Sequence, residues 1–438
     1  MRRVLIALAL VTGPAFAQND MANMPGMNMP AQPQPQKPAA QPMAGMAMPE
    51  MAAMPQTGNL GSYPMTRDGS GTSWQPDAAS HGGIHEMAGQ WMLMGHMMLD
   101  GIYDTQSGPR GAGKTFLAGM LMGMARRDLA GGDTLVFRAM LSPDPFMGKS
   151  GYPLLLATGE TANGATPLID RQHPHDLFME LSGSYAHDLS DAASVFLYAG
   201  YPGEPALGPT AFMHRASGMD IPDAPITHHW LDSTHITFGV ITAGLVEGNW
   251  KLELSQFTGR EPDQARFGFD TPKFDSTSAR VTWNPDENWS LQASWGWIKS
   301  PEQLAPLLNE NRFTASAEYV RPLGEDSSIA ATLAWGLKKE SDGTGLNGVL
   351  FETEYKPAGL WTLFARAEWE QNNELIPGGA VEPVAALSVG AIRDFRLAPH
   401  LKFGLGGLYA FDFVSSALKP AYGHDPHGVM VFTRLVAD

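Results

Sequence analysis

The chain predicts an all-β fold: a transmembrane, antiparallel, up-and-down β-barrel of about 16 strands (range 12 to 16) behind a disordered N-terminal tail. Three observations carry this. Past residue 88 apolar and polar residues alternate with period two, the connectors between these segments alternate in length, and the N-terminus reads as an export signal.

The signal comes first, over residues 1–17. Arg2 and Arg3 precede the apolar run from Val4 to Val11, and Ala15-Phe16-Ala17 offers a small-residue cleavage site before Gln18. Removing it takes the formal charge from −16 to −18, since residues 1–17 hold two arginines and no acid. So acidic a product disfavours nucleic acid as a partner and favours cations. The chain has no cysteine, which excludes disulfides, iron–sulfur sites and thiolate zinc sites.

Residues 18–77 follow, rich in Pro, Met, Gln, Ala and Gly, with Tyr63 and Trp74 their only aromatic residues. Such a composition buries too little to fold alone, so this segment is expected to be a disordered periplasmic tail. Between Met21 and Met65 it carries 10 methionines and no histidine. Thioether sulfur is a polarizable ligand suited to Cu(I) and its relatives. Met21, Met24, Met27, Met29, Met43, Met46, Met48, Met51 and Met54 are therefore candidate ligands for Cu(I), with Ag(I) as a second cargo and no organic cofactor. The plainer reading is a low-complexity linker.

The barrel is assigned to residues 78–438. No run of 18 apolar residues occurs there. Trp289, Leu291, Ala293, Trp295 and Trp297 alternate with Ser290, Gln292, Ser294 and Gly296, and Trp361, Leu363, Ala365, Ala367 and Trp369 with Thr362, Phe364, Arg366 and Glu368. These are strands with one apolar face and aromatics toward their ends. Short connectors (130–133, 188–191, 246–249, 285–288, 322–326, 357–359, 397–400) alternate with long ones (106–113, 142–174, 201–233, 260–275, 300–311, 340–347, 371–382, 415–427). That is the rhythm of periplasmic turns and extracellular loops. The apolar Leu154-Leu155-Leu156 makes the loop 142–174 the candidate for folding inward. A soluble all-β protein is the competing fold.

The first strands bear the sharpest chemistry. Met92, Met94, His96, Met98 and Asp100 share one face, and Lys114, Met120, Met122, Met124 and Arg126 share one face of the next strand. Their polar members mark these faces as luminal. Arg138 and Met140 follow on the third strand and Glu180 on the fourth. Such a ladder of sulfurs could relay a soft cation between closely spaced weak sites; alternatively the methionines merely fill space. His81 and His85, with Glu86 and Met87, lie where tail meets barrel. His173 and His175 (with Asp176) and the group His228, His229, Asp232 and His235 end two long loops. Both groups are expected on the extracellular rim, as a composite N/O metal site or as loop packing.

The Met-rich leader, the stretch Trp74-Gln75-Pro76-Asp77 with His81-Gly82-Gly83-Ile84-His85-Glu86-Met87, and Asp170-Arg171-Gln172-His173-Pro174-His175-Asp176 together resemble copper resistance protein B and similar Met-rich outer-membrane barrels of bacterial metal resistance. The tail lacks that family's histidines, so the resemblance is to the broader class. It implies copper, and by extension silver, resistance through Cu(I) capture in the periplasm, then sequestration or passage outward through the barrel. A periplasmic copper-binding protein would be its partner beside outer-membrane lipid. Two alternatives stand: a general porin-like diffusion channel, and an outer-membrane hydrolase. The second has weak support, because Ser182 and Ser184 share the luminal face and no nucleophile motif is present; the protein is expected not to be an enzyme.

Overall fold

The computed structural model describes residues 57–80, 82–324, 326–357, 359–376 and 378–438. The tail methionines from Met21 to Met54, and His81, lie outside the described residues.

Sixteen antiparallel strands close into one barrel: β1 Trp91–Gln106, β2 Gly113–Leu129, β3 Asp133–Leu141, β4 Phe178–Asp188, β5 Ala193–Gly200, β6 Val240–Glu247, β7 Trp250–Phe257, β8 Ser276–Trp283, β9 Trp289–Ile298, β10 Glu310–Gly324, β11 Ser327–Glu340, β12 Gly345–Lys356, β13 Trp361–Asn372, β14 Glu382–Ala398, β15 Leu401–Val414 and β16 His427–Ala437. Sequence neighbours pair throughout, and β16 closes onto β1 with Gly428 opposite Gln106 and Ala437 opposite Met97. The first residues of β1 pair on the same side with a short strand, Ile84–Ala88. Closure of β16 onto β1 leaves the sixteen-strand wall, among the described residues, without an edge strand for lipid to meet.

The wall is apolar outside and charged inside. On β7 the outward Leu252 and Leu254 are 54% and 65% exposed, whereas the inward Lys251 and Glu253 are 0% and 2% exposed. A soluble barrel would invert this, so the polarity identifies a membrane-spanning barrel. Aromatics gather at both ends of the strands: Trp250 stacks on Trp283 at 5.1 Å and Trp289 packs on Tyr319 at 4.6 Å, while Trp295 and Trp335 donate their indole N–H to Asn311 (3.2 Å) and Asn347 (3.1 Å). These are the two interfacial girdles. Among the described residues no helix is long and apolar enough to cross a membrane.

Three segments fill the lumen. The connector between β3 and β4 folds inward, as its apolar centre predicts. Its hairpin, Tyr152–Thr161 with Pro167–Gln172, buries Leu154, Leu155 and Leu156 against Phe116, Phe364, Ile392, Leu408 and Phe432 of the wall. The connector 201–239 also lies inside, fastened by Arg215 to Glu352 on β12 (2.6 Å), while the same guanidinium binds the connector's own Asp232 (2.9 Å).

The third is the chain before the barrel. The expectation of a disordered segment reaching residue 77 is corrected over 57–77, which is folded and packed against the wall. Trp74 is 2% exposed and lies between Arg67 and Lys251, with cation-to-ring distances of 4.8 and 4.7 Å. Its carbonyl accepts from Thr210 and Ser290, and Asn284 donates to the Gln75 carbonyl at 2.9 Å. Arg67 grips Asp77 through two nitrogens at 2.6 and 2.8 Å, and the Tyr63 hydroxyl donates to Asp68 at 2.7 Å. Few apolar residues suffice here because the barrel supplies the other half of the core.

Candidate functional site

Hairpin register brings the methionines of β1, β2 and β3 together. In antiparallel strands, directly opposite residues share a face with Cβ atoms roughly 4.5–5.5 Å apart. Met94 stands opposite Met124, His96 opposite Met122, and Met98 opposite Met120. Met122 is in turn opposite Met140, which faces Glu180 on β4. The short strand extends the array, with Met87 opposite Met92 and His85 opposite Met94. The expected luminal orientation holds: Met92, Met94, Met98, Met120, Met124 and Met140 are buried, while Leu93, Leu117 and Leu121 on the alternate positions face out.

Sulfurs not proposed as ligands from the sequence join the ladder, one from the wall strand β4 (Met179) and others from the lumen-filling segments (Met213 and Met65). Met179 and Met213 pack with Met98, Met120 and Met140, and Met65 packs with Met92, Met94 and Met124. Asn59 Nδ2 reaches the Met124 sulfur at 3.5 Å. The signal was present, since Phe212-Met213-His214 and Met219 stand in one long connector, but nothing local says that this connector turns inward. Among the cavities that border the ladder, two are larger than a single water. One, of about 60 Å³, is lined by Met98, Met120, Met213 and Met219 together with His173 and His175. The other, of about 80 Å³, is lined by Met120, Met122, His96, Arg138 and Glu180. Arg138 and Glu180 pair there at 3.1 Å.

The loop histidines meet, but not on a rim. His173 is 7% exposed and His228 1%, so the expected extracellular-rim position is corrected to the barrel interior. The ring of His173 lies 6.2 Å from that of His228 and 5.6 Å from that of His229; His235 lies 5.1 Å from His228 and 5.3 Å from His175. Phe212 packs among them. Infolding of both long connectors places the group there.

Three of these rings are held by acceptors at one nitrogen. His175 Nδ1 donates to Asp144 (2.9 Å), His228 Nδ1 to Asp232 (2.8 Å), and His235 Nδ1 to the Asp232 carbonyl (2.7 Å). A carboxylate or carbonyl can only accept, so each neutral ring carries its lone pair on Nε2. All three Nε2 atoms are buried without a hydrogen-bond partner. This is the orientation that outer-shell acceptors impose on metal-binding imidazoles. Burial, reinforced by the neighbouring rings, drives His173 and His235 well below the ordinary imidazole value and lowers His228 as well. Burial opposes ionisation of Asp232, yet the His228 hydrogen bond and Arg215 hold it below the usual carboxylate range.

His85 lies apart from this group, half-buried on Ile84–Ala88, with Nδ1 donating to the Gly83 carbonyl at 3.0 Å. Ser182 donates to Glu180 Oε1 at 2.5 Å.

No protein-family model matches the chain, and no curated protein matches it. Solved structures do. OmpF of Salmonella typhi, solved in complex with daunomycin, superposes with a TM-score of 0.52 at 8% identity, covering 81% of this chain and 100% of that one. An anion-selective porin from Comamonas acidovorans gives 0.47 at 13% identity over 79% and 99% of the two chains. The channel DcaP of Acinetobacter baumannii gives 0.47 at 9% identity over 81% and 100%. These likenesses are to porins and channels, and none links the chain to copper resistance protein B or to Met-rich proteins. The fold is that of an outer-membrane porin-type barrel.

Proposed function

We propose that the protein is an outer-membrane channel whose lumen is specialised for a small soft cation. The general channel reading has the broader support, from the porin-type fold. The finer reading rests on one observation, the luminal array in which Met94–Met124, Met98–Met120 and Met122–Met140 stand as direct cross-strand pairs. Thioethers are soft ligands that protons do not compete for, which suits Cu(I) and Ag(I). A ladder of weak, adjacent sites lets an ion bind without being trapped. Filling segments that close the lumen against bulk solutes would leave ligand exchange along the wall as the path.

In this reading the Met-rich leader captures Cu(I) or Ag(I) on the periplasmic side, where a copper-binding protein could load it, and the barrel sequesters the ion or passes it outward. Catalysis plays no part: Ser182 is committed to Glu180 inside the lumen, out of reach of a lipid ester.

The test is flux through proteoliposomes. Ag(I) should cross at a rate that the double variant Met122→Leu and Met140→Leu lowers by at least tenfold, with small sugars crossing slowly in both. Leu for Met costs less than about 1.5 kcal/mol in a core, so the variant should fold. Rapid sugar leakage indifferent to the substitutions would leave an ordinary diffusion channel.

A further inference from the structure

A second group of ligands lies apart from the sulfur ladder and has different chemistry. His229 on the connector 201–239, Glu261 on the connector between β7 and β8, and Glu302 on the connector between β9 and β10 each present one ligand atom within 4.8 Å of the other two. Their positions come from three connectors that meet only because all fold over the same end of the barrel. His229 is 5% and Glu261 9% exposed.

Neither nitrogen of His229 makes a hydrogen bond, and Glu261 Oε2 has no partner either. The approach of His229 Nδ1 to Glu261 Oε1 is 3.3 Å, close enough for an ion pair but lacking hydrogen-bond geometry. A buried imidazole with both nitrogens unsatisfied beside two carboxylates is costly unless something else fills the site. The site is also tight: a Cβ placed on Gly159 would sit 2.5 Å from the His229 ring. Around it stand Arg312 and Lys338 of the wall together with Glu310 and Glu374, so the surroundings hold charges of both signs.

We propose that His229, Glu261 and Glu302 form a site for a borderline divalent cation of the Zn²⁺ class. One imidazole and two carboxylates give three ligands of the kind Zn²⁺ accepts, with a fourth position open to water. The nitrogen ligand disfavours Ca²⁺ and Mg²⁺, and the absence of sulfur from the ligand set disfavours Cu(I). A bound ion would tie three connectors together and stiffen the closed end of the barrel. The proposal stands independently of the soft-cation reading, since it uses none of the ladder's residues.

The experiment uses the full-length folded protein in detergent, titrated with Co²⁺ as a spectroscopic stand-in and then with Zn²⁺. The expected result is one equivalent of Co²⁺ giving the intense visible absorption of a low-coordinate site, bleached by Zn²⁺. Glu261→Gln and Glu302→Gln should each weaken it by more than about tenfold, the lower bound for disturbing even an outer partner of a metal ligand. Met122→Leu with Met140→Leu should leave it unchanged. Retained heat-modifiable mobility on gels reports that each variant is folded. Absence of Co²⁺ binding by the wild-type protein overturns the proposal, as does an absorption that survives both glutamate substitutions, which would place the ion among His173, His175, His228 and His235.

Discussion

One guanidinium anchors the middle of the longest connector, beside further ties from Arg434 and Lys356 to Asp220 and from Arg366 to Asp223. Arg215, 0% exposed, binds Glu352 at 2.6 Å, Asp232 at 2.9 Å and the Thr210 carbonyl at 2.8 Å. Glu352 is shared with Arg366 (3.3 Å) and with the Ser217 hydroxyl (3.1 Å). Removing one member of a buried charge network strands the others, at a cost of about 3–5 kcal/mol. Arg215→Met should therefore loosen residues 210–218 and raise ion conductance in planar bilayers, with the barrel itself intact and the rest of the connector still tied through Asp220 to Arg434 and Lys356, Asp223 to Arg366 and Thr227 to Glu368. Conductance equal to that of the wild type would show that this network does not hold the lumen closed. Asp232 has a second duty at the same scale, because its carboxylate and its carbonyl orient His228 and His235.

At the scale of elements, the buried histidines make the infolded connectors sensitive to acid. His173, His228, His229 and His235 are all held below the ordinary imidazole value. In the unfolded or released loop each would take up a proton near pH 6.5, roughly the unperturbed value. Their contribution is complete above that pH and is lost as pH falls through it toward the depressed folded values. Glu302, pushed up to about 7 by burial and by Glu261, works in the opposite sense and loses its stabilising contribution as pH rises through that value. Asp176 and Glu204, pushed up to about 8, and the raised Asp223 and Glu261 act in the same sense as Glu302, but within 227–239 the groups that change charge between pH 7 and 5 are His228, His229 and His235, so acid is the destabilising direction for that segment. Hydrogen exchange of the amides in 227–239 should accelerate on going from pH 7 to pH 5 after correction for intrinsic rates; equal protection at both would contradict the assignment of buried neutral rings.

The same scale explains what could be read from the chain. Strands were legible because period-two alternation is a local property, and Leu252 and Leu254 against Lys251 and Glu253 carry it without reference to anything distant. The methionine ladder was legible for the same reason, since alternation puts these methionines on one face and strands consecutive in sequence pair with each other. The interior was not. Residues 201–239 are held by partners such as Glu352, and residues 57–77 by Lys251, Asn284 and Ser290, all more than 100 positions away. A segment that uses the wall as its core shows no core of its own. Glu261 and Glu302 escaped notice because nothing near them in sequence points to His229.

For the whole molecule, a porin-type wall is combined with a filled interior. The outward face meets lipid with Leu, Val and aromatic side chains, and the inward face binds three segments through arginine, lysine and carboxylate networks. Beside the sulfur ladder lie cavities of about 60 and 80 Å³, each with room for a few waters or an ion. A wider cavity of about 720 Å³ opens at the short-turn end, lined by Glu354, Lys356, Asp394, Arg396 and Lys402. In the proposed function the wall itself, and not only the leader, holds a soft cation. The most direct measurement is an Ag(I) titration, against a competing chelator, of the folded barrel lacking residues 18–56. Tight binding that falls by at least tenfold in the Met122→Leu, Met140→Leu variant is the expected result; a barrel that competes for no silver once the leader is gone would contradict it.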